Sequence, residues 1–203
     1  QHDDDPFSRY EALQQLMLDS LVARIGQSNS GFDKRGPNGE GGTAAPTPVR
    51  PEPVEGQGSA DPLLAAIAET LRHAKHDPAF AAEALILPSE AFIGDQLAVV
   101  DPDAIRRERL ALLGTIGRAL EADWRYWHGA THTDARDLSP AAKGKRRLRG
   151  VALTALCAAG MPDAAALAFA QYQSAGGMTD RQSALVALSN LDAPERDTAL
   201  ADF

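Results

Sequence analysis

The chain has 203 residues, 44% of them hydrophobic and 24% charged, enough to bury one sizeable core or two small ones in a soluble, largely globular form. Its net charge of −8 opposes adsorption on nucleic acid or anionic lipid, which carry the same sign, and suits basic partners or neutral peptides. Ala and Leu dominate the apolar share, aromatics make up only 5%, and β-branched residues are scarce, so the expected class is all-α. The single cysteine, Cys157, excludes a disulfide within the chain, and its apolar neighbours mark it as a core thiol rather than a nucleophile. No apolar run approaches the ~18 to 20 residues that span a bilayer, and acidic residues stand where a signal peptide needs basic ones. A reducing cytoplasm is the expected compartment.

Asp5 and Pro6 open the first helix, expected within residues 1–25, with Phe7, Tyr10, Leu13, Met17 and Leu21 at helical spacing. From Gly26 to Ala60 periodicity collapses into Gly, Pro, Ser, Thr and Asn, with four prolines between Pro46 and Pro53. This 26–60 segment reads as a disordered insert, either tolerated between two helices or a polyproline recognition motif. Residues 61–203 read as a helical-repeat domain. Asp61-Pro62 opens a helix carrying Leu63, Ile67 and Leu71, Asp77-Pro78 another running to Leu87, and Ser89 a short third reaching Leu97. Asp101-Pro102 opens a long helix whose stripe includes Ile105, Leu113, Ile116, Leu120, Trp124 and Trp127. Ser139-Pro140, Met161-Pro162, Thr179 and Ala193-Pro194 then start four more. Nine helices with short connections imply stacked antiparallel pairs, an α-solenoid of the HEAT or armadillo sort.

Several residue groups carry chemistry by type and spacing. His128 and His132 are four apart, as on the helix of a zinc peptidase, but Gly129 stands where that motif places a glutamate. They read as a solvent-exposed helix end. His73 and His76 lie near another helix end, where the dipole favours cations, with no third ligand nearby. Asp3, Asp4 and Asp5 fit the positive end of the first helix better than a calcium loop, since alternating ligands are absent. Lys143, Lys145, Arg146, Arg147 and Arg149 form the dense basic run; without stacking aromatics it reads as a solvated helical face, Leu148 and Val151 turned inward, rather than a nucleic-acid site. No phosphate loop and no G-x-S-x-G elbow is present. No residue is therefore expected to be catalytic, cofactor-binding or metal-binding.

Four segments in register carry a resemblance. They are Asp5-Pro6-Phe7-Ser8-Arg9-Tyr10-Glu11-Ala12, Asp77-Pro78-Ala79-Phe80-Ala81-Ala82-Glu83-Ala84-Leu85 leading to Leu87-Pro88-Ser89-Glu90, Val100-Asp101-Pro102-Asp103-Ala104-Ile105, and Met178-Thr179-Asp180. In order and spacing they resemble the first half of the C-terminal helical domain of the aminopeptidase N family. The departures are Tyr10, where that family usually has Trp, and Gly176-Gly177, where it often has two Asn. The resemblance implies a zinc exopeptidase parent of the H-E-x-x-H type that removes N-terminal residues from peptides. Its zinc ligands and G-x-M-E-N loop are expected upstream of Gln1, and its last helices beyond Phe203. The role the resemblance implies for this chain is to pack on the catalytic domain, enclose the active-site chamber and limit entry to peptides. An independent helical-repeat scaffold for a peptide or protein is the alternative.

Overall fold

A computed structural model of the chain describes residues 5–32 and 61–203. The described residues form ten helices: α1 (Pro6–Phe32), α2 (Pro62–His73), α3 (Pro78–Ala84), α4 (Glu90–Gly94), α5 (Pro102–Ala119), α6 (Glu121–Ala130), α7 (Pro140–Ala158), α8 (Ala164–Ser174), α9 (Met178–Ser189) and α10 (Pro194–Asp202). The architecture is the expected all-α helical-repeat solenoid. Residues 33–60 of the expected insert, together with Asp3 and Asp4, lie outside the described residues.

The Asp-Pro punctuation works as a set of N-caps. Asp5 Oδ1 accepts from Phe7 N (3.2 Å), Asp61 Oδ1 from Leu63 N (2.9 Å), Asp77 Oδ1 from Phe80 N (2.9 Å) and Asp101 Oδ1 from Ala104 N (3.0 Å). Each carboxylate satisfies an N–H that has no partner inside its helix, and the proline that follows removes another such donor at no cost. Ser89 and Ser139 act alike, accepting from Phe92 N and Ala142 N at 3.2 Å.

Several boundaries differ from expectation: α3 ends at Ala84 and α4 at Gly94, short of the expected Leu87 and Leu97, α8 starts at Ala164 rather than at Met161-Pro162, and three further differences have a visible cause. Helix α1 continues past residue 25 to Phe32, because Ile25 is buried and Ser28 Oγ donates to Glu108 Oε1 on α5 at 2.7 Å, anchoring a polar stretch that periodicity alone would abandon. The long helix after Asp101 is two helices, broken at Leu120 (φ −120°, ψ 30°). One non-helical residue leaves the apolar spacing nearly unchanged, so the stripe reads as continuous. The Trp124 indole N–H donates back to Ile116 O at 3.3 Å across the break. Finally, α9 starts at Met178 with Gly177 as its uncapped N-cap residue, so Thr179 lies inside the helix and does not cap it.

Helix α7 is the hub, packing against α3, α5, α6, α8 and α9. Its Leu148, Ala152, Ala155 and Leu156 face a hydrophobic core shared with α1 to α6. Leu153 and Cys157 face a second core made with α8, α9 and α10. A helix clothed on both sides has an apolar surface wider than the single stripe of a surface helix. The approach of α5 is very close: a Cβ on Gly114 would lie 2.7 Å from Ala158 O, and one on Gly117 would overlap Ala155 O. Only glycine lets these two backbones meet.

Candidate functional site

Two features of this scaffold bring chemically active side chains together: a surface trough and a buried polar seam. The trough runs across α1, the 85–89 connection, α5, α7 and α9, in three segments that all include Arg109. The first, about 1010 Å³, lies between α1 and Phe92, with Tyr10 and Gln14 on its wall. The middle segment, about 530 Å³, is lined by Leu113, Val151, Met178 and Val186 beside Arg109, Arg146 and Arg147. The third, about 640 Å³, extends to Asn190 and Arg196.

Packing positions these cations. Arg109 Nε donates to Pro88 O at 2.8 Å and its Nη2 to Leu87 O at 3.3 Å, which ties α5 to the turn after α3. Burial pulls its guanidinium below the usual value, with Glu90 acting in the opposite direction. Arg147 Nε donates to Glu83 Oε1 at 2.8 Å across the exposed edge of α7 and α3. Gln14 Nε2 fastens α1 to the same turn through Ala84 O and Ile86 O, at 3.1 and 3.0 Å.

The seam lies where α6 and α7 meet α8 and α9. His128 Nε2 is 2.8 Å from Gln171 Oε1, and Gln171 Nε2 donates to Asp180 O (3.0 Å) and Ser183 Oγ (3.1 Å). Because the amide nitrogen of Gln171 is spent on those two acceptors, its oxygen accepts and His128 Nε2 donates. Burial, aided by Arg149 and opposed by the Gln171 hydrogen bond and Asp180, holds the His128 imidazole below its ordinary pKa. Arg149 and Asp180 pair at 3.5 Å, both buried, with Arg149 Nε and Asp180 Oδ1 lacking hydrogen-bond partners. The guanidinium of Arg149 is lowered by burial and partly restored by Asp180.

The structure corrects two sequence expectations here. His128 is not at a solvent-exposed helix end: it follows Trp124 by four residues and shares that inward face, with only 8% of its surface exposed. His132 lies past the end of α6 and is exposed, so the two imidazoles do not form a pair. Nor is the basic run wholly solvated. Arg146 and Arg149 are buried, Arg146 Nη1 donating to Thr133 Oγ1 (3.1 Å) and Asp134 O (3.3 Å), while Leu148 is inward as expected. The spacing of Arg146 and Arg149, three apart, puts them on adjoining faces, but the carboxylate that receives Arg149 comes from Asp180 on another helix. His73 ends α2 and bonds Glu69 at 2.7 Å, with His76 6.3 Å from it ring to ring. Cys157 is buried, and burial pushes its thiol up to about 12.

Among the described residues no three His, Cys, Asp or Glu side chains stand close enough to hold a metal ion. No helix among them is long and apolar enough to cross a membrane.

Comparison with known proteins defines the class. The family model described as "Domain of unknown function (DUF3458_C) ARM repeats" matches residues 1–203. The chain belongs to that family. Aminopeptidase N of Escherichia coli (strain K12) is 31% identical over 129 residues, which are 64% of this chain and 15% of that protein. The crystal structure of Legionella pneumophila aminopeptidase A in complex with aspartic acid superposes on all of this chain and 22% of its own, with a TM-score of 0.67 and 20% identity, a likeness of fold alone. The chain thus spans less than a quarter of either relative.

Proposed function

We propose that this chain is the non-catalytic helical wall of a zinc-dependent aminopeptidase that removes N-terminal residues from peptides in a reducing bacterial cytoplasm. It packs on the catalytic domain of the same enzyme, encloses the active-site chamber and limits access to peptides. The observation that carries this reading is the match of the whole chain to an ARM-repeat family, together with its 31% identity over 129 residues to aminopeptidase N of Escherichia coli. The trough supports it, because an open groove with apolar and polar walls suits an extended peptide. The free, buried Cys157 agrees with a reducing compartment.

Hydrolysis of an alanine-linked chromogenic substrate tests it, measured for this chain and for its full reading frame, with zinc and then with a chelator. Activity confined to the full protein and abolished by the chelator is expected. Activity of this chain alone, or inactivity of both, would overturn the proposal, the latter in favour of a helical-repeat scaffold.

A further inference from the structure

The middle segment of the trough differs from its neighbours in charge. Three arginines, Arg109, Arg146 and Arg147, line it and no carboxylate does. The first segment contains Glu11 and Glu83, and the third Glu90 and Asp192. In a chain of net charge −8 this is a local reversal of sign. Among the described residues Arg109 and Arg146 are bonded to neutral acceptors, two carbonyls for the first and a hydroxyl and a carbonyl for the second. Their partial desolvation is already met by the fold, so an arriving carboxylate gains their attraction without repeating that cost. The Arg109 bonds use Nε and Nη2, and the Arg147 bond uses Nε, so Nη1 of the former and both Nη atoms of the latter remain to donate to a ligand. Leu113, Val151, Met178 and Val186 lie beside them and supply an apolar wall.

We infer that the middle trough is a subsite for an acidic side chain of an extended peptide, held by Arg109 and Arg147, with the next apolar side chain against Leu113, Val151 and Val186. The first and third segments adjoin it, both sharing Arg109 with it, so a peptide laid along the three would present a side chain there and not its terminal carboxylate. Glu83 is the internal competitor: it occupies Arg147 until the ligand's carboxylate arrives. This inference deepens the reading of the trough as a peptide-facing wall and rests on it.

Fluorescence anisotropy with the 203-residue chain tests it through binding alone, independent of any aminopeptidase activity. The probes are hexapeptides blocked at both ends and carrying a neutral fluorophore, with a central glutamate between leucines, or glutamine in its place. The glutamate peptide is expected to bind about tenfold tighter, the scale of a charge-assisted hydrogen-bonded pair. Arg147→Gln should weaken only the glutamate peptide, by about threefold, as fits an exposed cation. Glu83→Gln should strengthen it by about twofold, because the competitor is gone. A merely structural role of the pair would not yield opposite signs. Equal binding of the two blocked peptides, loss of both in the Arg147→Gln chain, or equal gain from an unblocked C-terminus on the glutamine peptide would overturn the inference. Arg109→Gln removes bonds to Pro88 and Leu87, so it is interpreted only where circular dichroism shows an unchanged fold.

Discussion

The two sides of α7 are sealed in opposite ways. Toward α5 the contact is dry and close, with Gly114 and Gly117 against the Ala155 and Ala158 carbonyls. Toward α6, α8 and α9 the apolar contacts enclose a buried polar cluster, built from His128, Gln171, Arg149, Asp180 and Ser183. The first seam depends on an absence of volume and tolerates no added atom. The second depends on partnership and tolerates no removed charge. Each rule follows from what lies buried there, dispersion between backbones in one and desolvated polar groups in the other.

The largest break in the comparison should come from the polar side. Asp180→Ala leaves the Arg149 guanidinium buried without its counter-ion, and a loss of about 3–5 kcal/mol is expected in chemical denaturation. Replacing both partners together, Arg149→Met with Asp180→Leu, should restore most of that stability, since the pair at 3.5 Å with two unmatched atoms repays its desolvation poorly. A double variant no better than the single one would show that Asp180 matters through its backbone position at the start of α9. On the dry side, Gly117→Ala should cost about 1–3 kcal/mol by forcing the helices apart, although alanine favours a helix.

A smaller effect sharpens the contrast. Gly129 on α6 has open space where a Cβ would go, so Gly129→Ala should stabilise by about 0.5–1 kcal/mol. Opposite signs for two Gly→Ala changes in neighbouring helices, read from thermal melts, would establish that crowding and not propensity governs α5. The gentlest test is titration. His128 is held neutral, its pKa lowered first by burial, so below about pH 6.5 the unfolded chain takes up more protons than the folded one. Stability should therefore decline as pH falls through that value and level off below the lowered folded pKa. His128→Gln should flatten that slope, and an unchanged slope would assign it to another group.

Much of the fold was legible because its determinants are local. Asp61, Asp77, Asp101, Ser89 and Ser139 each satisfy donors two or three residues away, so helix starts can be read without knowing what the helices touch. The resemblance carried by the segments at Asp5, Asp77 to Glu90, Asp101 and Met178 to Asp180 agrees with the family that the whole-chain match establishes. Helix ends were less legible where a distant contact decides them, as Ser28 does for α1 through Glu108. The break at Leu120 was hidden because one residue barely shifts the apolar spacing.

By itself, then, the sequence determined the helical class, the capped starts and the apolar faces, since these depend on interactions a few residues long. Only the tertiary structure decided which charges go inside. Arg146, Arg147 and Arg149 belong to one basic run, yet Arg147 stays at the exposed edge with Glu83 while Arg149 is drawn in by Asp180. A cation is buried only where another element brings an acceptor to it, and that juxtaposition is a property of packing among α7, α8 and α9, not of spacing along the chain.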